Sequence, residues 1–113
     1  MILLVCGGRN YTDQAKVEAV LTDLQHVHTI DVLIEGGAAG ADTLAFHWAD
    51  SRGIPVATVK PQWHKHGKAA GMRRNYAMLK LKPDLVVAFP GGKGTANMVH
   101  LANKNNIRVL EIA

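Results

Sequence analysis

The stretch DLVVAFPGGKGTANMV, residues 84–99, decides the fold. Its opening run, Asp84–Phe89, is continuously apolar at its centre rather than alternating. That pattern suits a strand covered on both faces within a parallel sheet. The run breaks at Pro90 into the turn Gly91-Gly92-Lys93-Gly94-Thr95, and Ala96, Val99 and Ala102 then recur at helical spacing. Strand, glycine-rich turn and helix in this order form half of a parallel crossover unit.

The same succession recurs in both directions along the chain. Further apolar runs occupy Ile2–Cys6, Asp31–Glu35, Ile54–Val59 and Ile107–Ile112. Val17, Val20, Leu21 and Leu24 predict a helix from Asp13 to about His26, with Thr12 or Asp13 as its cap. Ala41, Leu44, Ala45, Trp48 and Ala49 predict a second, stopped by Gly53. Met72, Tyr76 and Leu79 mark a third, ended by Lys82-Pro83, and Asn106 is a left-handed stop for the fourth. The order β-α-β-α-β-α-β-α-β predicts an α/β, Rossmann-like open parallel sheet of about five strands with helices on both faces. With 113 residues, the chain reads as one domain, 1–113.

Composition narrows the classes. The chain is 48% hydrophobic and 19% charged, which is ordinary for a globular protein. Its opening apolar run is too short for a membrane span and lacks a basic leader, so a cytoplasmic protein is expected. Cys6 is a lone cysteine inside the first run, which reads as a small buried hydrophobe with no partner base. The net charge of +4 and pI of about 9.5 permit an anionic partner, yet most basic residues are scattered along the chain.

Ligands in open parallel sheets bind beyond the carboxyl ends of the strands. Those junctions hold the special backbone: Gly7-Gly8-Arg9-Asn10, Gly36-Gly37-Ala38-Ala39-Gly40-Ala41-Asp42, and Pro90 to Thr95. The third junction is the longest loop, Lys60 to about Gly67, with Trp63, His64 and His66. A phosphate needs amide hydrogens unobstructed by Cβ atoms, ideally at a helix N-terminus. Tight turns use glycine without binding anything, but three such turns on one edge point to a site. The spacing fits neither the P-loop nor the dinucleotide fingerprint.

GGRNYTD (7–13), EGGAAGADTLAFHWA (35–49), GIPV (53–56), AGMRRNYAML (70–79) and PDLVVAFPGGKGTANMV (83–99) together resemble the SLOG superfamily. They resemble in particular its small YspA-like, cpYpsA-related branch, a domain of unknown function. The resemblance runs nearly end to end and implies a Rossmann-like fold and a nucleotide-derived ligand. More distant members include the Lonely Guy phosphoribohydrolases and DNA-processing protein A. The phosphoribohydrolase RKxxM pattern falls on Arg74–Met78, which assigns its catalytic arginine to Arg74. Their PGGxGTxxE pattern falls on Pro90–Met98, so the catalytic glutamate position holds Met98. A thioether can neither stabilise an oxocarbenium-like charge nor position water, which leaves Glu35 or Asp42 as the carboxylates available nearby.

The candidate ligand-binding set is therefore Gly7, Gly8, Arg9, Gly36, Gly37, Gly40, Asp42, Arg73, Arg74, Asn75, Pro90, Gly91, Gly92, Lys93, Gly94 and Thr95, with Arg74 and Glu35 as catalytic candidates. Arg9, Arg73 and Arg74 suit phosphate clamping or base stacking, although Arg73 equally suits a solvated helix face. Asp42 suits ribose hydroxyls or the free amides of a first helical turn. Thr95 suits a cap or a phosphate contact. Trp63 with His64 and His66 reads equally as a flap over a base or as a plain surface loop. Tyr76, Met72 and Met78 read as core packing, and so does Asn75, which is nevertheless carried with its neighbour Arg74.

His26, His28, His47, His64, His66 and His100 match no metal-ligand spacing, so neither metal nor cofactor is expected. The leading reading is a sensor or binding module for a phosphate-bearing, nucleotide-derived small molecule. A phosphoribohydrolase or related N-glycosidase is the alternative. Single-stranded DNA binding ranks third and a nucleic-acid partner is not expected, because the sequence has no basic stripe with interleaved aromatics and aromatic residues make up only 5% of the chain. A homo-oligomer, a dimer, is the expected assembly.

Overall fold

The computed structural model describes residues 1–113. Five parallel strands, β1 (Ile2–Cys6), β2 (Val32–Glu35), β3 (Val56–Thr58), β4 (Leu85–Ala88) and β5 (Arg108–Glu111), form one sheet in the order β3-β2-β1-β4-β5. The chain winds outward from β1 to β3, then returns to the other side of β1 for β4 and β5. The reversal lies between β1 and β4, where loops diverge to opposite faces and leave a crevice.

The helices are α1 (Gln14–Val27), α2 (Ala41–Ser51), α3 (Trp63–His66), α4 (Ala70–Leu79) and α5 (Lys93–Lys104). Alternation along the strands feeds two cores. Leu3, Val5, Leu33, Val87 and Phe89 face α1 and α2, meeting Val17, Leu21, Ala45 and Trp48. Leu4, Cys6, Ile34, Val86 and Ala88 face α4 and α5, meeting Met78, Leu79, Met98 and Ala102. Asp13 caps α1, its Oδ1 accepting from the Lys16 amide at 3.0 Å, and Asn106 takes the left-handed conformation expected of it, φ 59°.

Three expectations need correction. The strands are shorter than the apolar runs: Asp31, Ile54, Pro55, Val59, Asp84, Phe89, Ile107 and Ile112 lie outside the paired segments. Apolar residues also serve the turns beside a strand, so hydrophobicity overshoots its ends. The Lys60–Gly67 loop is largely helical, with α3 running into a 3-10 turn at Gly67–Ala69 that leads directly to α4. The third difference concerns the buried side of α4. Ala70, Asn75, Met78 and Leu79 are buried, whereas Met72 is 61% and Tyr76 52% exposed. The Met72–Tyr76–Leu79 spacing is helical, but the helix is rolled so that a small residue and an amide face inward.

Candidate ligand-binding site at the carboxyl edge of the sheet

Loops after β1, β2 and β4 converge at the reversal point. The Gly8 amide donates to Pro90 O at 2.9 Å, and Gly8 O accepts from Tyr11 N and from Ala41 N, each at 3.1 Å. The first loop is thereby clamped between the fourth loop and the start of α2. Beside it opens a cavity of about 690 Å³, within the size range of small-molecule sites.

The sequence-predicted residues divide between this cavity and its supports. Gly7, Gly8, Arg9, Asp42, Arg74, Asn75 and the whole Pro90–Thr95 turn line it. Gly36, Gly37, Gly40, Arg73 and Glu35 do not. Gly40, at φ +76°, packs on the backbone of Gly8 and Arg9. Gly36 lies under the Arg74 guanidinium. Glu35 is 2% exposed and has both oxygens engaged: Oε1 accepts from the Gly37 amide at 2.6 Å and Oε2 accepts from the Thr58 hydroxyl. Arg73 projects instead into a groove on the outer side of α4.

The cavity also gains residues that were not in the predicted set. Asn10 and Tyr11 follow the first glycine turn directly, and Tyr11 packs on Phe89 with ring centroids 5.5 Å apart. Cys6, Ala38 and Met78 complete the wall. Burial pushes the Cys6 thiol up to about 12, which leaves it a neutral wall group. Asn97 stands behind the site, accepting from Asn75 Nδ2 at 2.9 Å. Residue spacing alone carried no signal for Asn97, because its partner lies 22 positions away.

At the start of α5, Gly92 caps the helix without a side chain, and the amides of Lys93, Gly94 and Thr95 have no acceptor within the protein. Amides and helix dipole there favour an anion. Arg74 supplies a cation nearby. Its Nη1 donates to Gly36 O at 2.5 Å and its Nε to Asn75 Oδ1 at 3.0 Å, while Asn75 Nδ2 also donates to Gly94 O at 3.1 Å. One continuous set of hydrogen bonds thus ties the β2 loop, α4 and the β4 loop together. Met98, by contrast, is fully buried in the core between sheet and α5 and does not line the cavity.

Asp42 is the cavity's carboxylate. Its Oδ2 accepts from the Gly36 and Ala38 amides at 3.2 and 3.1 Å, so it braces the preceding loop, and its Oδ1 has no protein donor. Burial raises its pKa from 3.8 to about 6, opposed by the Ala38 amide and reinforced by Glu35. A folded-state value above the unfolded one makes ionisation oppose folding. The stability associated with the protonated form is complete below pH 3.8 and is lost as pH rises through about 6. The loss is on the order of 3 kcal/mol. Asp42→Asn is therefore expected to raise Tm at neutral pH and flatten its dependence between about pH 4 and 7. Thermal melts across that range would check this; an unchanged slope would show that another group titrates.

Residues 1–66 match the YspA, cpYpsA-related SLOG family. The chain is also 34% identical over 116 residues to the Gene 61 protein of Mycobacterium phage D29, covering 96% of this chain and 93% of that protein. No solved structure matches it. With a Rossmann-like parallel sheet and a family match over more than half its length, the chain belongs to the YspA, cpYpsA-related SLOG family.

Proposed function

We propose that the cavity at the carboxyl edge binds a phosphate-bearing, nucleotide-derived small molecule. The observation that carries this reading is the pairing of three acceptor-free amides at the α5 N-terminus with the Arg74 guanidinium in one cavity. Together they suit a phosphate, by amide and fork-like donation. Asp42 Oδ1 suits the hydroxyl or amino donors of the remainder of such a ligand. Tyr11 offers an aromatic wall.

Thermal melts against a panel of nucleoside monophosphates and their derivatives test the reading. A ligand at a hundred times its Kd adds about 2.7 kcal/mol and raises Tm by several degrees. Chromatography of the same mixtures is expected to show no free base. A panel without any shift would overturn the assignment.

A second reading, N-glycosidic cleavage, is favoured by Asp42, a carboxylate facing the cavity with a pKa of about 6. A group titrating near neutrality can exchange a proton with a leaving base or a water. Met98, shut in the core, offers nothing to that chemistry. Stoichiometric excess of released base, lost in Asp42→Asn, would move the assignment to this reaction.

A further inference from the structure

The two helical layers carry opposite charge. Residues 14–27 and 41–52, on one side of the sheet, hold Glu18, Asp23, Asp42 and Asp50 against Lys16 and Arg52. Residues 63–80 and 93–104, on the other side, contain seven lysines and arginines and not one Asp or Glu. The sole ion pair in the molecule joins the Met1 ammonium to Asp31, so no lysine or arginine side chain is neutralised by a carboxylate. A layer of unpaired cations of one sign attracts polyanions over a Debye length.

Aromatic and apolar surface is exposed in the same place. Trp63 is 55%, Met72 61% and Tyr76 52% exposed. Met72 and Tyr76 are one turn apart on α4, and the Trp63 ring reaches to Gly71 at the start of that helix. Lys80 Nζ lies over the Tyr76 ring, 4.9 Å from its centroid. Between α4 and α5 runs a groove that includes Met72, Tyr76 and Leu101 with Arg73, Lys80 and His66. His66 is held below the ordinary imidazole range by burial and then by the charges of Arg73 and Lys65, consistent with a positive local field. Planar rings flanked by unpaired cations are what a single-stranded nucleic acid engages, by base stacking and phosphate contact.

We propose that the α3–α4–α5 face binds single-stranded nucleic acid, with bases stacking on Trp63 and Tyr76 and phosphates on Lys65, Lys68, Arg73 and Lys80. This surface is separate from the carboxyl-edge cavity. Charge decides against a second copy seated symmetrically here, which would bring the same unpaired cations face to face.

The test is fluorescence anisotropy with a labelled oligodeoxythymidine of about twenty nucleotides, titrated across salt concentrations. Four phosphate contacts predict a log K against log salt slope of about −3. Arg73→Glu combined with Lys80→Glu is expected to weaken binding at least about tenfold and roughly halve that slope. Tyr76→Ser is expected to weaken it about tenfold through lost stacking. Binding should quench Trp63 emission, whereas Trp48, buried and donating to Thr22, stays unquenched. Trp63→Phe then removes the quench and keeps most of the affinity. Circular dichroism checks that these exposed substitutions leave the fold intact. No binding at low salt, binding indifferent to the double charge reversal, or displacement by a mononucleotide would each overturn the proposal. So would a dimer that Tyr76→Ser dissociates, without any oligonucleotide binding.

Discussion

Arg74→Ala is expected to lower affinity for a phosphate-bearing ligand at least about 100-fold, with the fold retained. The variant loses one or two charge-assisted hydrogen bonds to the ligand, each worth about 1.5–3 kcal/mol, and a tenfold change in Kd corresponds to about 1.4 kcal/mol. It also unties the loops, because Arg74 joins Gly36 O to Asn75, which in turn holds Gly94 O and Asn97. Arg74→Lys is expected to recover only a minor part, since an ammonium cannot span Gly36 O and Asn75 Oδ1 as a planar fork does. Gly36→Ala should copy the defect without touching a charge. Its Cβ would lie 2.8 Å from Arg74 Cζ and displace the guanidinium. Calorimetric titration of all three variants with whichever nucleotide shifts the melt would decide. Wild-type affinity in Arg74→Ala would remove this cation from the site.

Gly40→Val is expected to destabilise the chain by about 3–5 kcal/mol, a fall in Tm of roughly 10–20 °C. At φ +76° and ψ −127°, residue 40 adopts a conformation that glycine reaches easily and a β-branched residue does not. Space adds a second penalty. A Cβ there would lie 2.6 Å from the carbonyl carbon of Arg9 and closer still to Gly8 O, and neither can rotate aside as a side chain would. Moving that loop also breaks the bonds from Tyr11 N and Ala41 N to Gly8 O. Gly94→Ala is the control: its Cβ meets nothing, and alanine suits a first helical turn. Equal stability of Gly40→Val and wild type in urea would show that the loop is not clamped as described.

Much of this architecture could be read from local pattern. Continuous runs such as Leu85–Ala88 imply strands buried on both faces, and glycine turns confined to one edge imply where a ligand enters. The cavity accordingly contains the turns at Gly7–Arg9 and Pro90–Thr95. Reading failed where one residue type serves two purposes. Glu35 ends β2 and Asp42 opens α2, at the two ends of one loop and with the same carboxyl group. Only Asp42 faces the cavity, while Glu35 spends both oxygens on Gly37 and Thr58. Arg73 and Arg74 are adjacent, yet a helix turns about 100° per residue, so they face different sides of α4, one the groove and the other the cavity.

By itself, then, the order of residues determined the five strands and four long helices in their order, the glycine-bearing edge and the family, because each is written in neighbours along the chain. Tertiary structure alone decided which way α4 rolls, and with it whether Tyr76 meets core or solvent. It also gathered cations dispersed between Lys65 and Lys104 onto one layer. The physical reason is that roll and layer are set by packing against strands dozens of residues away, which no local spacing records.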